Sequence, residues 1–142
     1  MNAVLLTSRV RKKIYDGIIK EMMDFSIVNA ITVAKVEALN PHCVIIDYSV
    51  KFKDIDFEGF VCLLKLKTPD VRLIYNFGTV DNVEDEQFKK SIQFLLHQKV
   101  NDIIIDDSEI KVTIENPLKF GDINEKIDTI IKEKEKLIFK NE

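Results

Sequence analysis

The chain has 142 residues, 46% of them apolar and 32% charged, with a formal net charge of -3 and both signs interspersed. A chain of this size can bury one substantial core, its balance of residues excludes disordered and fibrous classes, and it offers no broad basic field to a phosphate backbone. The expectations are one domain over residues 1–142 and no direct nucleic-acid ligand.

Five apolar segments rich in Val, Ile, Leu and Phe recur along the chain: "AVLLT" (3–7), "FSIVNA" (25–30), "CVIID" (43–47), "VRLIYN" (71–76) and "DIIID" (102–106). Most are continuous rather than alternating, the pattern of strands covered on both faces of a parallel sheet. Helical stripes separate them: Val10, Ile14, Ile18 and Met22, then Phe57, Phe60, Val61 and Leu64, then Phe88, Ile92, Leu95 and Leu96. "ITVAKVEALN" is a shorter helix candidate closed by Asn40 and Pro41. The order predicts an α/β fold with right-handed crossovers.

The last helix, 122–142, has Asp122 as its expected cap, Glu125 three positions on, and Ile123, Ile127, Ile130, Ile131, Leu137 and Ile138 as its stripe. Its charged end either packs on the domain, the favoured reading, or runs on as a linker. For 108–115 two readings stand: an added edge strand from the alternation of Ile110, Val112 and Ile114, slightly preferred, or a short helical turn capped by Ser108.

Gly is scarce and no Gly-rich loop follows the first strand, so no phosphate cradle of the dinucleotide or P-loop kind is expected. Cys43 and Cys62 lie in apolar runs, where free cysteine acts as a small buried hydrophobe. His42 and His97 lack metal-ligand spacing, so neither a metal nor another cofactor is expected. With no signal peptide and no apolar stretch of membrane-spanning length, the expected location is the cytoplasm, without a membrane partner.

"PHCVIID" (41–47) resembles the P-D-L-V-L-L-D run of response-regulator receiver domains, the CheY-like fold; "FEGFVCLLKLK" is similar to their third helix and "KVNDIII" to their fifth strand. The resemblance covers residues 3–105 in order. It implies a three-layer sandwich whose five-stranded parallel sheet has the order 2-1-3-4-5, and it places the family's phosphoacceptor at Asp47. The family also needs an acidic pair after strand one to hold Mg²⁺ beside the attacking carboxylate. Thr7, Ser8 and Arg9 stand there instead, and Arg9 is expected to pair with Asp47. The family's Ser or Thr after strand four aligns with Asn76, and its Lys with Asp106, followed by Asp107.

The resemblance therefore implies a degenerate receiver, a non-catalytic regulatory module that binds a protein partner, with Asp47 as a polar strand end. The alternative is a phosphorylation switch at Asp47. A cation held by Asp47, Asp106 and either Asp54 or Asp56 is a further reading, and a small α/β enzyme lacks any nameable catalytic constellation. Similar domains precede ParA/MinD-type ATPases, as in pilus-assembly CpaE proteins, so a fused ATPase is one expected partner. A homodimer through helix four, strand five and helix five is the other, with Phe94 and His97 on the exposed side of helix four.

Overall fold

A computed structural model describes residues 2–22, 26–29, 32–52, 55–81 and 83–140. Strands β1 (Asn2–Leu6), β2 (Ser26–Asn29), β3 (Cys43–Asp47), β4 (Arg72–Asn76) and β5 (Asp102–Ile104) form one parallel sheet in the order β2-β1-β3-β4-β5. Between and after them run α1 (Arg9–Ile19), α2 (Val33–Ala38), α3 (Phe57–Lys67), α4 (Glu86–His97), α5 (Ile110–Glu115) and α6 (Asp122–Lys140). The α/β character and the parallel sheet follow from the continuous apolar runs, since both faces of such a sheet must be covered.

Alternation along each strand divides the core into two layers. Val4, Leu6, Val44, Ile46, Leu73, Tyr75, Ile103 and Ile105 face the side covered by α2, α3, α4 and α6. Ala3, Leu5, Cys43, Ile45, Ile74 and Ile104 face the other side, where Ile14, Tyr15, Ile18 and Ile19 of α1, Met22 just after it, and Ile110 and Ile114 of α5 meet them. Continued to the strand ends, this parity puts Asp47 and Asn76 on the α1/α5 side, where they stand opposite each other across β3 and β4. That parity positions the candidate site.

Several sequence expectations change. Residues 110–115 are helical, not an edge strand, because Ile110, Thr113 and Ile114 point inward at helical spacing while Val112 faces out. A second anchor fixes that helix: Arg72 donates to Asp102 Oδ2 (2.7 Å) and to the carbonyls of Ile114 and Thr113 (2.8 and 2.6 Å), at the helix end where carbonyls lack partners. Of the expected first stripe, Ile14, Ile18 and Met22 pack on the core, but Val10 is exposed and Tyr15 is fully buried in the same face. Cys62 is exposed, whereas Cys43 is buried. Asp122 opens α6 but accepts from the backbone N–H of Lys119 (2.7 Å), upstream of the helix. Ile123, Ile127, Ile130 and Ile131 of that helix pack on the core, while Leu137 and Ile138 stay exposed.

Phe94 also departs from expectation. It is half-buried, meets Phe57 edge to face at 5.7 Å between centroids, and packs against the core rather than pointing away from it; His97 is exposed. No helix among the described residues is long and apolar enough to cross a membrane.

Candidate functional site

At the carboxyl edge of the sheet, where strand order reverses around β1 and β3, an open α/β fold concentrates its chemistry. Asp47 ends β3 there with no exposed surface. Its neighbours arrive from four directions. Ser8 caps α1 and accepts from the backbone N–H of Arg11 (3.4 Å), so Arg9 and Val10 turn to solvent while Arg11 and Tyr15, one turn apart, face the sheet. Arg11, not the expected Arg9, pairs with Asp47: its Nη2 lies 3.0 Å from Asp47 Oδ1 and its Nε 3.2 Å from Oδ2.

The rest of the Asp47 carboxylate is also engaged. The Tyr15 hydroxyl donates to Oδ1 (2.5 Å), and the backbone N–H and hydroxyl of Ser49 donate to Oδ2 (3.0 and 2.5 Å). Thr7 and Ser8, both expected in the crevice, reach it through Ser49, by a hydroxyl contact of 3.4 Å and a backbone N–H of 3.2 Å respectively. Burial alone would raise the Asp47 pKa, but the donors Arg11, Ser49 and Tyr15 outweigh it and hold the carboxyl below the usual range. Burial, followed by the hydrogen bond to Asp47 and then its charge, pushes the Tyr15 phenol up, so it stays a donor.

Asp107 completes the cluster in place of Asp106. The Asp106 carboxylate is exposed and turned onto Ser108, accepting from its backbone N–H (2.9 Å) and hydroxyl (2.6 Å), the short-range bonding of an Asx turn. Asp107, opening the 3₁₀ turn Asp107–Glu109, swings inward and takes a two-point contact from Arg11: Nη1 to Oδ2 at 2.8 Å and Nη2 to Oδ1 at 2.6 Å. The Arg11 bonds lower its pKa against the opposing effect of burial, and the Asn76 amide acts in the same direction. Arg11 itself is driven up, first by Asp107 and then, against burial, by Asp47. The guanidinium thus separates two carboxylates that would otherwise repel.

Asn76, fully buried as the residue opposite Asp47, links these groups. Its amide donates to the Tyr15 hydroxyl (2.8 Å) and to Asp107 Oδ1 (3.1 Å), while its carbonyl accepts from the backbone N–H of Gly78 (2.8 Å). Over the cluster lies Tyr48, its ring centroid 4.8 Å from the Arg11 guanidinium carbon. Gly78, at φ +80°, allows that closure: a Cβ there would stand 2.5 Å from the Tyr48 ring.

Asp56 caps α3 through the backbone N–H of Gly59 (2.7 Å), away from this cluster, and Asp54 lies outside the described residues. Among the described residues no group of three or more His, Cys, Asp or Glu side chains converges as metal ligands. The set suits neither Mg²⁺ nor Ca²⁺: the oxygens of Asp47 face an arginine and three other donors, where a divalent cation would need further oxygen ligands. Arg11, Tyr15, Ser49 and Asp107 were not singled out for these contacts from the sequence. Their signal was the parity of β3 together with the register of α1, which brings Arg11 and Tyr15 over the strand end.

This fold has counterparts among solved structures. The isolated receiver domain of RcsB from Salmonella enterica serovar Typhimurium, solved with the phosphomimetic BeF₃⁻, superposes with a TM-score of 0.64 at 14% identity, over 84% of this chain and 91% of that one. The fold is that of a receiver domain. The response-regulator domain of Thermotoga maritima CheB gives a TM-score of 0.57 at 16% identity, covering 91% of this chain and 94% of that one. A pilus assembly-related protein from Burkholderia pseudomallei gives 0.58 at 9% identity, covering 81% of this chain and 87% of its own. No family model matches the chain, and no curated protein matches it. At these identities the likeness is one of fold.

Proposed function

We propose that this receiver-fold domain is a regulatory, protein-binding signalling module that does not transfer phosphoryl groups at Asp47. One observation carries the reading: both Asp47 oxygens are already taken by Arg11, Tyr15 and Ser49, with a guanidinium beside the carboxylate where phosphoryl transfer would call for a metal ion. A nucleophilic carboxylate needs a free lone pair and a cation to neutralise the incoming oxygens. Arg11 consumes the first and is itself consumed by Asp107.

Titration of beryllofluoride with Mg²⁺ into the protein, followed by calorimetry, tests the reading. No saturable heat is expected; saturable binding that Asp47→Asn removes would overturn it.

For the partner, the resemblance of the sequence to domains that precede ParA/MinD-type ATPases favours such an ATPase, fused or separate. Self-association through α4 and β5 has less support, because Phe94 already spends much of its surface on Phe57 within the domain. Sedimentation velocity separates the two: a monomer favours the ATPase, and a dimer that His97→Glu dissociates favours self-association.

A further inference from the structure

The two anions around Arg11 are held differently. Asp47 belongs to a central strand and has no exposed surface, but the Asp107 side chain is 28% exposed and sits in a short 3₁₀ turn, with the Arg11 side chain 13% exposed beside it. Three N–H groups converge on Asp107: two from the Arg11 guanidinium in fork geometry and one from the Asn76 amide. Arg11 is fixed from below by Asp47 and from above by the Tyr48 ring, and Asn76 is fixed by Tyr15 and Gly78. These donors are therefore positioned by contacts independent of Asp107, which is the condition for a preformed anion site.

We propose that Arg11 and Asn76 form a carboxylate-binding site that the chain fills with its own Asp107, and that an Asp or Glu side chain from an acidic segment of a partner is the ligand that exchanges with it. Charge selects a carboxylate. Asp47, Arg11 and Asp107 together carry one net negative charge, and one carboxylate in place of another leaves that sum unchanged. A phosphate dianion would add charge directly above the buried Asp47. Being tethered, Asp107 has a high effective concentration and keeps the site closed to small free carboxylates. Exchange would release the 3₁₀ turn and the start of α5, which gives partner binding a structural consequence. The inference goes beyond the absence of phosphotransfer by naming the chemistry of the partner.

Chemical rescue tests it. The full chain carrying Asp107→Ala is melted in sodium formate, in sodium phosphate and in sodium chloride at matched ionic strength. At about ten times its Kd, formate is expected to raise the Tm of the variant by roughly 3–6 °C over chloride. Wild type should show no such difference, and Arg11→Gln in the Asp107→Ala background should abolish it. Poly-glutamate is expected to give the same rise at lower carboxylate concentration. If Asp107→Ala does not fold, Asp107→Ser takes its place, and recovery of its circular dichroism by formate counts as rescue.

No formate-specific rise, an equal rise in the double variant, or a larger rise with phosphate would overturn the site as a carboxylate site. A response to formate without one to poly-glutamate would overturn the partner assignment. None of these results depends on the beryllofluoride titration of the wild-type protein.

Discussion

Replacing Arg11 with methionine removes the cation from a cluster in which Asp47 is fully buried, while keeping much of the side chain's packing volume. Removing one partner of a buried pair costs about 3–5 kcal/mol, because the other charge is left without compensation. Here Tyr15 and Ser49 still donate to Asp47, and Asp107 can turn outward into water. The expected loss at pH 7 is therefore at the lower end, about 2–4 kcal/mol. Urea denaturation of wild type, Arg11→Met, Asp47→Asn and the double variant measures it, and the double-mutant cycle should give a coupling of at least about 1 kcal/mol.

The pH dependence is a second signature of the same variant. In wild type the Asp47 pKa is depressed, so its contribution is complete above the unfolded value of about 3.9 and is lost as pH falls through the folded value. In Arg11→Met the strongest donor opposing burial is gone, so the Asp47 pKa moves up from its wild-type position while Ser49 and Tyr15 still lower it. The variant takes up its proton at higher pH than wild type, and the gap between the two proteins should narrow as pH falls through that range. A loss below about 1 kcal/mol at pH 7, or a gap that does not change with pH, would refute a buried, charge-paired Asp47.

Two further substitutions probe the same cluster. Tyr15→Phe removes a hydroxyl that donates to Asp47 and accepts from Asn76, and is expected to cost about 1.5–3 kcal/mol by chemical denaturation. Gly78→Ala imposes a left-handed conformation on an L side chain and drives its Cβ towards Tyr48, so a loss of about 1–2 kcal/mol is expected; adding Tyr48→Ser should recover only part of it, since the backbone cost remains.

The α/β character of the chain was legible because buried strands need uninterrupted apolar runs, and "CVIID" and "VRLIYN" supply them. Asp47 and Asn76 were legible as crevice residues for the same reason: each ends such a run. The errors arose where one position decides a face. Arg9 was expected at the strand end because it follows strand one where the resembled family has its acidic pair, whereas the Ser8 cap fixes a register that presents Arg11 and Tyr15.

Asp106 and Asp107 posed the same problem across one peptide bond. The short-range bonds of Asp106 to Ser108 hold it at the surface and leave Asp107 to turn in. Residues 110–115 misled because Ile110, Val112 and Ile114 satisfy a period of two, and it took the burial of Thr113 to show the helix. Phe94 was assigned to solvent from the helix alone, but Phe57 on α3 reaches across to it.

Acetyl phosphate with Mg²⁺, followed by intact-protein mass spectrometry, tests most directly whether the Arg11 clasp has replaced phosphoryl chemistry at Asp47. The wild-type protein is expected to keep its unmodified mass over incubation times that fully phosphorylate an active receiver run in parallel. A gain of one phosphoryl group, lost in Asp47→Asn, would contradict the account.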